Sequence, residues 1–281
     1  MSLPFFILTL PRSGSYHLVS LLDSAPDLSC HGEVYKRDRV ELAPATRRRL
    51  GLGPAEVAPR DAMGMDLVKA LQGRGKPSGF KAFPQHLEAL PHRRALLFGQ
   101  GLRRVALTRD PLAAYLSALR ARATGRWVRM AGEAAPPVIP IRYDPDEFEA
   151  RLAARARFDR LLDEIEAAAP GTLHRIDYDR LSDPGALTGL LRFLGSRAEG
   201  AALRSDRARQ HCHPPFAGVQ NPGEMEDHQR ALGRPFPQDA PQNAPRAAPD
   251  GAPAAPPARR GRASGGFMPP EPARSPAATR R

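Results

Sequence analysis

Cysteine is nearly missing from this chain: its 281 residues hold two, Cys30 and Cys212. Two cannot build a disulfide framework, and without a Cys-x-x-Cys pair neither a zinc knuckle nor a redox dithiol is written here. A reduced, cytoplasmic setting is expected. Long apolar runs are missing as well. The early run Phe5 to Leu10 has the length of one buried strand and lacks a basic leader or a small-residue cleavage site, so neither a signal peptide nor a membrane span is expected. Lysine is scarce, at four positions (Lys36, Lys69, Lys76, Lys81) among 42 cationic residues. The ATP loop Gly-x-x-x-x-Gly-Lys-Ser/Thr is absent too. Its nearest imitation, Gly73-Arg74-Gly75-Lys76, has Ala70 in place of the first glycine and runs into Pro77.

What is present is arginine. With 42 Lys and Arg against 30 Asp and Glu the formal charge is +12. A composition heavy in Arg, Ala and Pro follows from GC-rich coding, and the cations are not interleaved with aromatics as a nucleic-acid groove requires, so no nucleic-acid partner is expected. Proline is uneven: residues 234–281 hold 12 of the 31. Such a segment cannot bury enough apolar surface to order itself and reads as a disordered Pro/Ala/Arg-rich tail. Residues 1–233 read as one folded domain.

Within that domain short apolar runs alternate with helical patterns, which predicts an α/β fold with a mostly parallel central sheet and helices on both faces. Strands are expected at Phe5 to Leu10, Gly79 to Phe83, Arg104 to Leu107 and Leu173 to Tyr178. Helices are expected at Ser15 to Asp23, Gln85 to Leu90, Pro111 to Ala123 and Asp183 to Leu194. A longer one at about Asp146 to Ala168 carries Phe158, Leu161, Leu162 and Ile165 at three-four spacing and stops before Pro170-Gly171. Residues 37–75 and 129–143 read as irregular segments of the kind that shape or cover a substrate site.

Two strand ends carry chemistry. Leu10-Pro11-Arg12-Ser13-Gly14-Ser15-Tyr16 joins the first strand to a helix, where an α/β sheet binds anions. A helix start offers open N–H groups, Gly14 permits close backbone approach, Ser13 and Ser15 add hydroxyls, and Arg12 adds a forked cation. At the other, Arg109 ends a strand, Asp110-Pro111 reads as N-cap and first helical residue, and Ser117 falls eight residues after Arg109. Six residues beyond Pro111 at about 1.5 Å each set Ser117 roughly 9 Å along the helix, a gap that an extended Arg109 could help close around one anion.

On these residues the chain resembles the sulfotransferases that use 3′-phosphoadenosine 5′-phosphosulfate (PAPS), and within them the bacterial carbohydrate branch acting on trehalose, lipopolysaccharide and nodulation factors. Pro11 to Ser15 is similar to the family's 5′-phosphosulfate loop, and Arg109 with Ser117 to its 3′-phosphate pair. Ser78-Gly79-Phe80-Lys81, Thr124-Gly125-Arg126-Trp127, Tyr178-Asp179-Arg180-Leu181 and Phe193-Leu194-Gly195 resemble further family segments, in the usual order. The resemblance implies a P-loop nucleotide-kinase-like fold, PAPS as co-substrate without a metal, and Pro11, Arg12, Ser13, Gly14, Ser15, Tyr16, Arg109 and Ser117 as its binding residues. It also implies a general base after the first helix. Glu33 in Cys30-His31-Gly32-Glu33 stands at that place, with His31 as rival and Lys81 as an aid to sulfuryl transfer. The acceptor implied is a hydroxyl of a carbohydrate or glycolipid, which brings the enzyme near a membrane if the acceptor is lipid-linked. A homodimer is expected by analogy alone. The alternatives are a degenerate nucleotide-binding protein of the same fold and a P-loop kinase. His211-Cys212-His213 is too small a set for structural zinc. Asn221-Pro222-Gly223-Glu224 reads as a helix start, and Trp127 as core or as the lining of a sugar or nucleotide site.

Overall fold

The computed structural model describes residues 3–72, 76–208 and 216–234, all within one compact unit, Met1–Phe236. The tail past residue 234 and His211-Cys212-His213 lie outside the described residues.

Five strands and ten α-helices are described: β1 (Phe5–Thr9), α1 (Ser15–Asp23), β2 (Ser29–Glu33), α2 (Pro44–Leu50), α3 (Val57–Ala62), α4 (Met65–Leu71), β3 (Ser78–Ala82), α5 (Pro84–Leu87), α6 (Arg93–Phe98), β4 (Arg103–Thr108), α7 (Pro111–Thr124), α8 (Pro145–Ala168), β5 (Leu173–Asp177), α9 (Pro184–Leu194) and α10 (Pro222–Ala231). Short 3-10 turns follow β5 at Tyr178–Ser182 and α9 at Gly200–Ala202. The strands form one wholly parallel sheet in the order β2-β3-β1-β4-β5. That is the expected P-loop nucleotide-kinase-like α/β architecture.

The sheet is buried on both faces, which explains why its central strands read as continuous apolar runs rather than alternating ones. Along β1, Phe6 and Leu8 pack with Phe80, Leu67, Leu96 and the Phe158, Leu162 and Ile165 stripe of α8. Phe5 and Ile7 point the other way, against Leu18 and Leu22 of α1 and Leu187, Leu190 and Leu191 of α9. The crossover after β1 therefore runs over one face, while α8, in the crossover after the adjacent β4, covers the other. A crevice opens between the carboxyl ends of two such strands, where open α/β sheets bind ligands.

The edge strand β2 holds Cys30 to Glu33, a stretch to which the sequence assigns no element; its Ser-Cys-His-Gly-Glu sequence lacks an apolar run, and its pairing with β3 shifts register between Cys30 and Glu33. One expectation fails here: residues 37–75 are not irregular throughout, since α2, α3 and α4 lie within them. These helices have six or seven residues each, too short to display a periodicity. Asn221 precedes α10 as expected, yet its side chain makes no cap. It accepts from Tyr143 N and donates to Tyr143 O, both at 2.9 Å, and so ties α10 to residue 143.

Candidate active site

The turn from β1 to α1 is built on two left-handed residues. Arg12 (φ 73°) is the one non-glycine residue at positive φ among the described residues, and Gly14 (φ 81°) is the N-cap of α1. Such turns direct successive N–H groups toward one concave side, a cradle for an anion. Gly14 is required twice over, because a Cβ there would also run into the Tyr178 ring. The Arg109 guanidinium lies 4.3 Å from the centroid of that ring, and Arg109 Nη1 donates to the Arg12 carbonyl at 3.0 Å.

Arg12 stands at the centre of the cluster. Its Nε and Nη2 donate to Ser117 Oγ at 3.2 and 2.9 Å, and its Nη1 to the Trp127 carbonyl at 2.7 Å. The Arg109–Ser117 pairing expected from the eight-residue spacing is thus mediated: Arg12 occupies the space between them and holds the serine hydroxyl itself. Burial, then the nearby charges of Arg109 and Arg151, lower the Arg12 pKa to about 10. A guanidinium destabilised by burial and like charges is one that an arriving anion relieves.

Two further arginines escaped the sequence reading. On α8, Arg151 Nη1 donates to the Pro11 carbonyl at 3.4 Å and Arg155 Nη1 to the Arg109 carbonyl at 3.0 Å. Together with Pro11, Ser13, Thr108 and Arg109 they line a small cavity at the carboxyl ends of β1 and β4. The signal was available: Arg151 and Arg155 precede Phe158 and Leu162 at four-three-four spacing, so they continue the buried stripe of α8 toward the crevice.

A second cluster lies on the other side of the loop. Lys81 on β3 is buried, 1% exposed, rather than at a solvated strand end. Its Nζ pairs with Glu33 Oε1 at 2.8 Å, donates to Ser15 Oγ at 3.1 Å, and lies 3.3 Å from the centroid of the Tyr16 ring. Burial opposes ionisation of Glu33, but the adjacent Lys81 outweighs it with help from Lys36 and His86, and the carboxyl sits below its ordinary value. For Lys81 burial prevails over the attraction of Glu33, and its pKa falls. A buried carboxylate held ionised by a lysine that also touches the anion loop can accept a proton beside whatever that loop binds.

His31 is set apart from this pair. Burial lowers its pKa, and the charges acting on it are Asp23 and Arg49 rather than Lys81. The histidine that does feel Glu33 is His86 of α5, also pushed down by burial, which the sequence reading passed over. Thr124-Gly125-Arg126-Trp127 closes α7, with Gly125 left-handed at its C-cap. The Trp127 side chain is exposed rather than core, and the Arg12 guanidinium lies 5.7 Å from its ring centroid.

No family model matches the chain. Among curated proteins it is similar to Nodulation protein H of Rhizobium tropici, 27% identical over 234 residues and covering 80% of this chain and 88% of that one. Nodulation protein H of Rhizobium meliloti (strain 1021) is 24% identical over 233 residues, covering 80% and 90%. Among solved structures the chain is similar to the sulfotransferase domain of the curacin biosynthetic pathway, at 17% identity and a TM-score of 0.47, covering 84% of this chain and all of that one. Retinol dehydratase in complex with retinol and PAP is another, at 14% identity and a TM-score of 0.39, covering 82% and 80%. With its motifs in order along an all-parallel β2-β3-β1-β4-β5 sheet, the chain is similar to Nodulation protein H over 80% of its length.

Proposed function

We propose that this protein is a PAPS-dependent sulfotransferase that moves a sulfuryl group to a hydroxyl of a carbohydrate or glycolipid acceptor. The observation that carries the reading is the pairing of two unlike clusters on one strand-loop-helix. Arg12, Arg109 and Ser117 gather on one side of residues 11–15, and Glu33 and Lys81 on the other. A nucleotide with a 3′-phosphate and a 5′-phosphosulfate needs two anion sites and a neighbouring base, and the left-handed cradle at Gly14 with its crowded cations fits that demand. Pro11, Arg12, Ser13, Gly14, Ser15 and Tyr16 form the cofactor loop. Arg109 holds the 3′-phosphate, with Ser117 brought to the same place through Arg12.

Glu33 takes the proton of the acceptor hydroxyl. The acceptor oxygen bonds to sulfur as the bond from sulfur to the bridging oxygen of the 5′-phosphate breaks, leaving adenosine 3′,5′-bisphosphate (PAP). Arg12 and the loop N–H groups stabilise charge on the sulfuryl and leaving oxygens, in the way phosphoryl transfer is stabilised. Lys81, between Glu33 and Ser15, keeps the base ionised and supports the transferred group. Residues 1–233 are the catalytic domain, residues 234–281 a tail without catalytic groups, and the enzyme works in the cytoplasm. Among the described residues no helix is long and apolar enough to cross a membrane. A lipid-linked acceptor would therefore be met from the membrane surface.

Thermal shift separates this reading from a kinase. A ligand that binds the folded state alone stabilises it by mass action, by about 2.7 kcal/mol at a hundredfold excess over Kd, and so raises its melting temperature. PAP is expected to stabilise the protein and ATP is not; stabilisation by ATP alone would overturn the reading. Transfer of labelled sulfate from PAPS to a panel of sugars and lipid extracts then identifies the acceptor, and binding without transfer to any of them would mark a degenerate member of the fold.

A further inference from the structure

Between β2 and α2 a single carboxylate ties the end of β2 to the first turn of α1. Glu41 Oε2 accepts from the backbone N–H of Glu33 at 3.1 Å and from the Tyr16 hydroxyl at 3.2 Å. Its Oε1 lies 3.4 Å from Lys36 Nζ and 3.5 Å from Arg39 Nε. The approach is close enough that a Cβ on Gly32 would stand 3.1 Å from Oε2, so the glycine before Glu33 leaves room for this carboxylate. The N–H it binds belongs to Glu33 itself, at the point where β2 leaves its regular register with β3. The ring it binds belongs to the first turn of α1 and lies over Lys81 Nζ.

We infer that Glu41 is the positioning residue of this site, fixing the Glu33 carboxylate and the Tyr16–Lys81 contact relative to the anion loop. Edge-strand backbone beside a register shift has few partners of its own to set its direction. Glu41 supplies one, and by holding Tyr16 it sets the same distance from the helix side. A base displaced by about 1 Å can lose a hundredfold in rate with its chemistry untouched. Glu41 also adds a negative charge to a group in which Lys81 on β3, Lys36 after β2 and His86 on α5 face Glu33. Removing it leaves those cations in excess and makes Glu33 harder to protonate.

This inference rests on the sulfotransferase reading, and its test keeps the two apart. Full-length wild type, Glu41→Gln, Glu41→Leu and Tyr16→Phe are compared for melting temperature, stabilisation by PAP, and kcat, KM and the pH profile of sulfate transfer from PAPS. Glu41→Leu removes both hydrogen bonds and is expected to lower kcat about a hundredfold while KM for PAPS stays within about threefold. Glu41→Gln keeps the accepting oxygen, recovers most of that kcat, and moves the acidic limb of kcat/KM to lower pH. Tyr16→Phe loses one of the two bonds and falls between. If Glu41→Leu turns over like wild type, or loses PAP binding and kcat in proportion, the positioning role is wrong. If Glu41→Leu fails to fold, Glu41→Gln and Tyr16→Phe decide: kcat, KM and acidic limb unchanged in both overturns the inference. Wild type that neither binds PAP nor transfers sulfate removes the reading beneath it instead.

Discussion

The two sides of the strand-loop-helix solve opposite electrostatic problems. Around Arg12 like charges crowd: Arg109 and Arg151 add to burial in pushing its pKa down to about 10. Around Lys81 opposite charges match, with Glu33 at 2.8 Å in a buried pair. Removing one partner from a buried pair is costly, so the Glu33–Lys81 side is organised before any ligand arrives. The arginine side is organised too, through the Ser117, Trp127 and Arg12 carbonyl contacts. On the proposed function one side binds an anion, and the other holds a proton acceptor in place.

Substitutions on either side should separate along that line. The largest effect is expected for Glu33→Gln, which keeps an acceptor for Lys81 while removing the base. Its kcat should fall about 10²- to 10⁴-fold, the usual worth of a general base, with PAP stabilisation intact in a thermal shift. Arg12→Met should act on the other side and weaken PAP binding about 10- to 150-fold by calorimetry, the worth of one hydrogen bond to a charged group. A Glu33→Gln protein that loses PAP binding, or an Arg12→Met protein that keeps it, would erase the distinction between the clusters.

Smaller effects sharpen it. Gly14→Ala forces a left-handed alanine at a cost of about 1–2 kcal/mol before the Tyr178 ring moves, so melting should drop by at least about 2–4 °C. Turnover in that variant should suffer more than stability, since the cradle and the Arg109 stack share that ring. The pH profile discriminates the bases. Glu33 must be ionised to act, and Lys81 holds it below 4.5, its ordinary value, so kcat/KM should stay level as pH falls and decline only below that point. His31→Asn should leave both kcat and this limb within about twofold of wild type. A limb that vanishes or shifts with His31→Asn would transfer the role to the histidine.

Sequence alone revealed four of the five strands. The strands β1, β3, β4 and even the edge strand β5 were legible because apolar residues run through them or because turn signals bracket them. Strand β2 was not, for its Ser-Cys-His-Gly-Glu residues are those of a turn. Arg12, Arg109 and Ser117 were each visible as motif residues, and so were Glu33 and Lys81. Their partnerships were not. Arg12 and Ser117 meet across 105 positions, and Lys81 and Ser15 across 66, distances that no local periodicity reports. Arg151 and Arg155 went unnoticed because an arginine in line with a buried stripe looks like an exception to the stripe rather than its extension.

The strand order itself has a consequence for how such an enzyme can change over time. The loop of residues 11–15 hangs from β1 in the middle of the sheet, locked by neighbours on both sides, whereas Glu33 hangs from β2 at the margin, with β3 as its sole strand partner. Mutations at the margin can tilt or re-aim Glu33, the proposed proton acceptor, without disturbing the central strands. A lineage could thereby keep one donor nucleotide and repeatedly exchange the molecule it modifies.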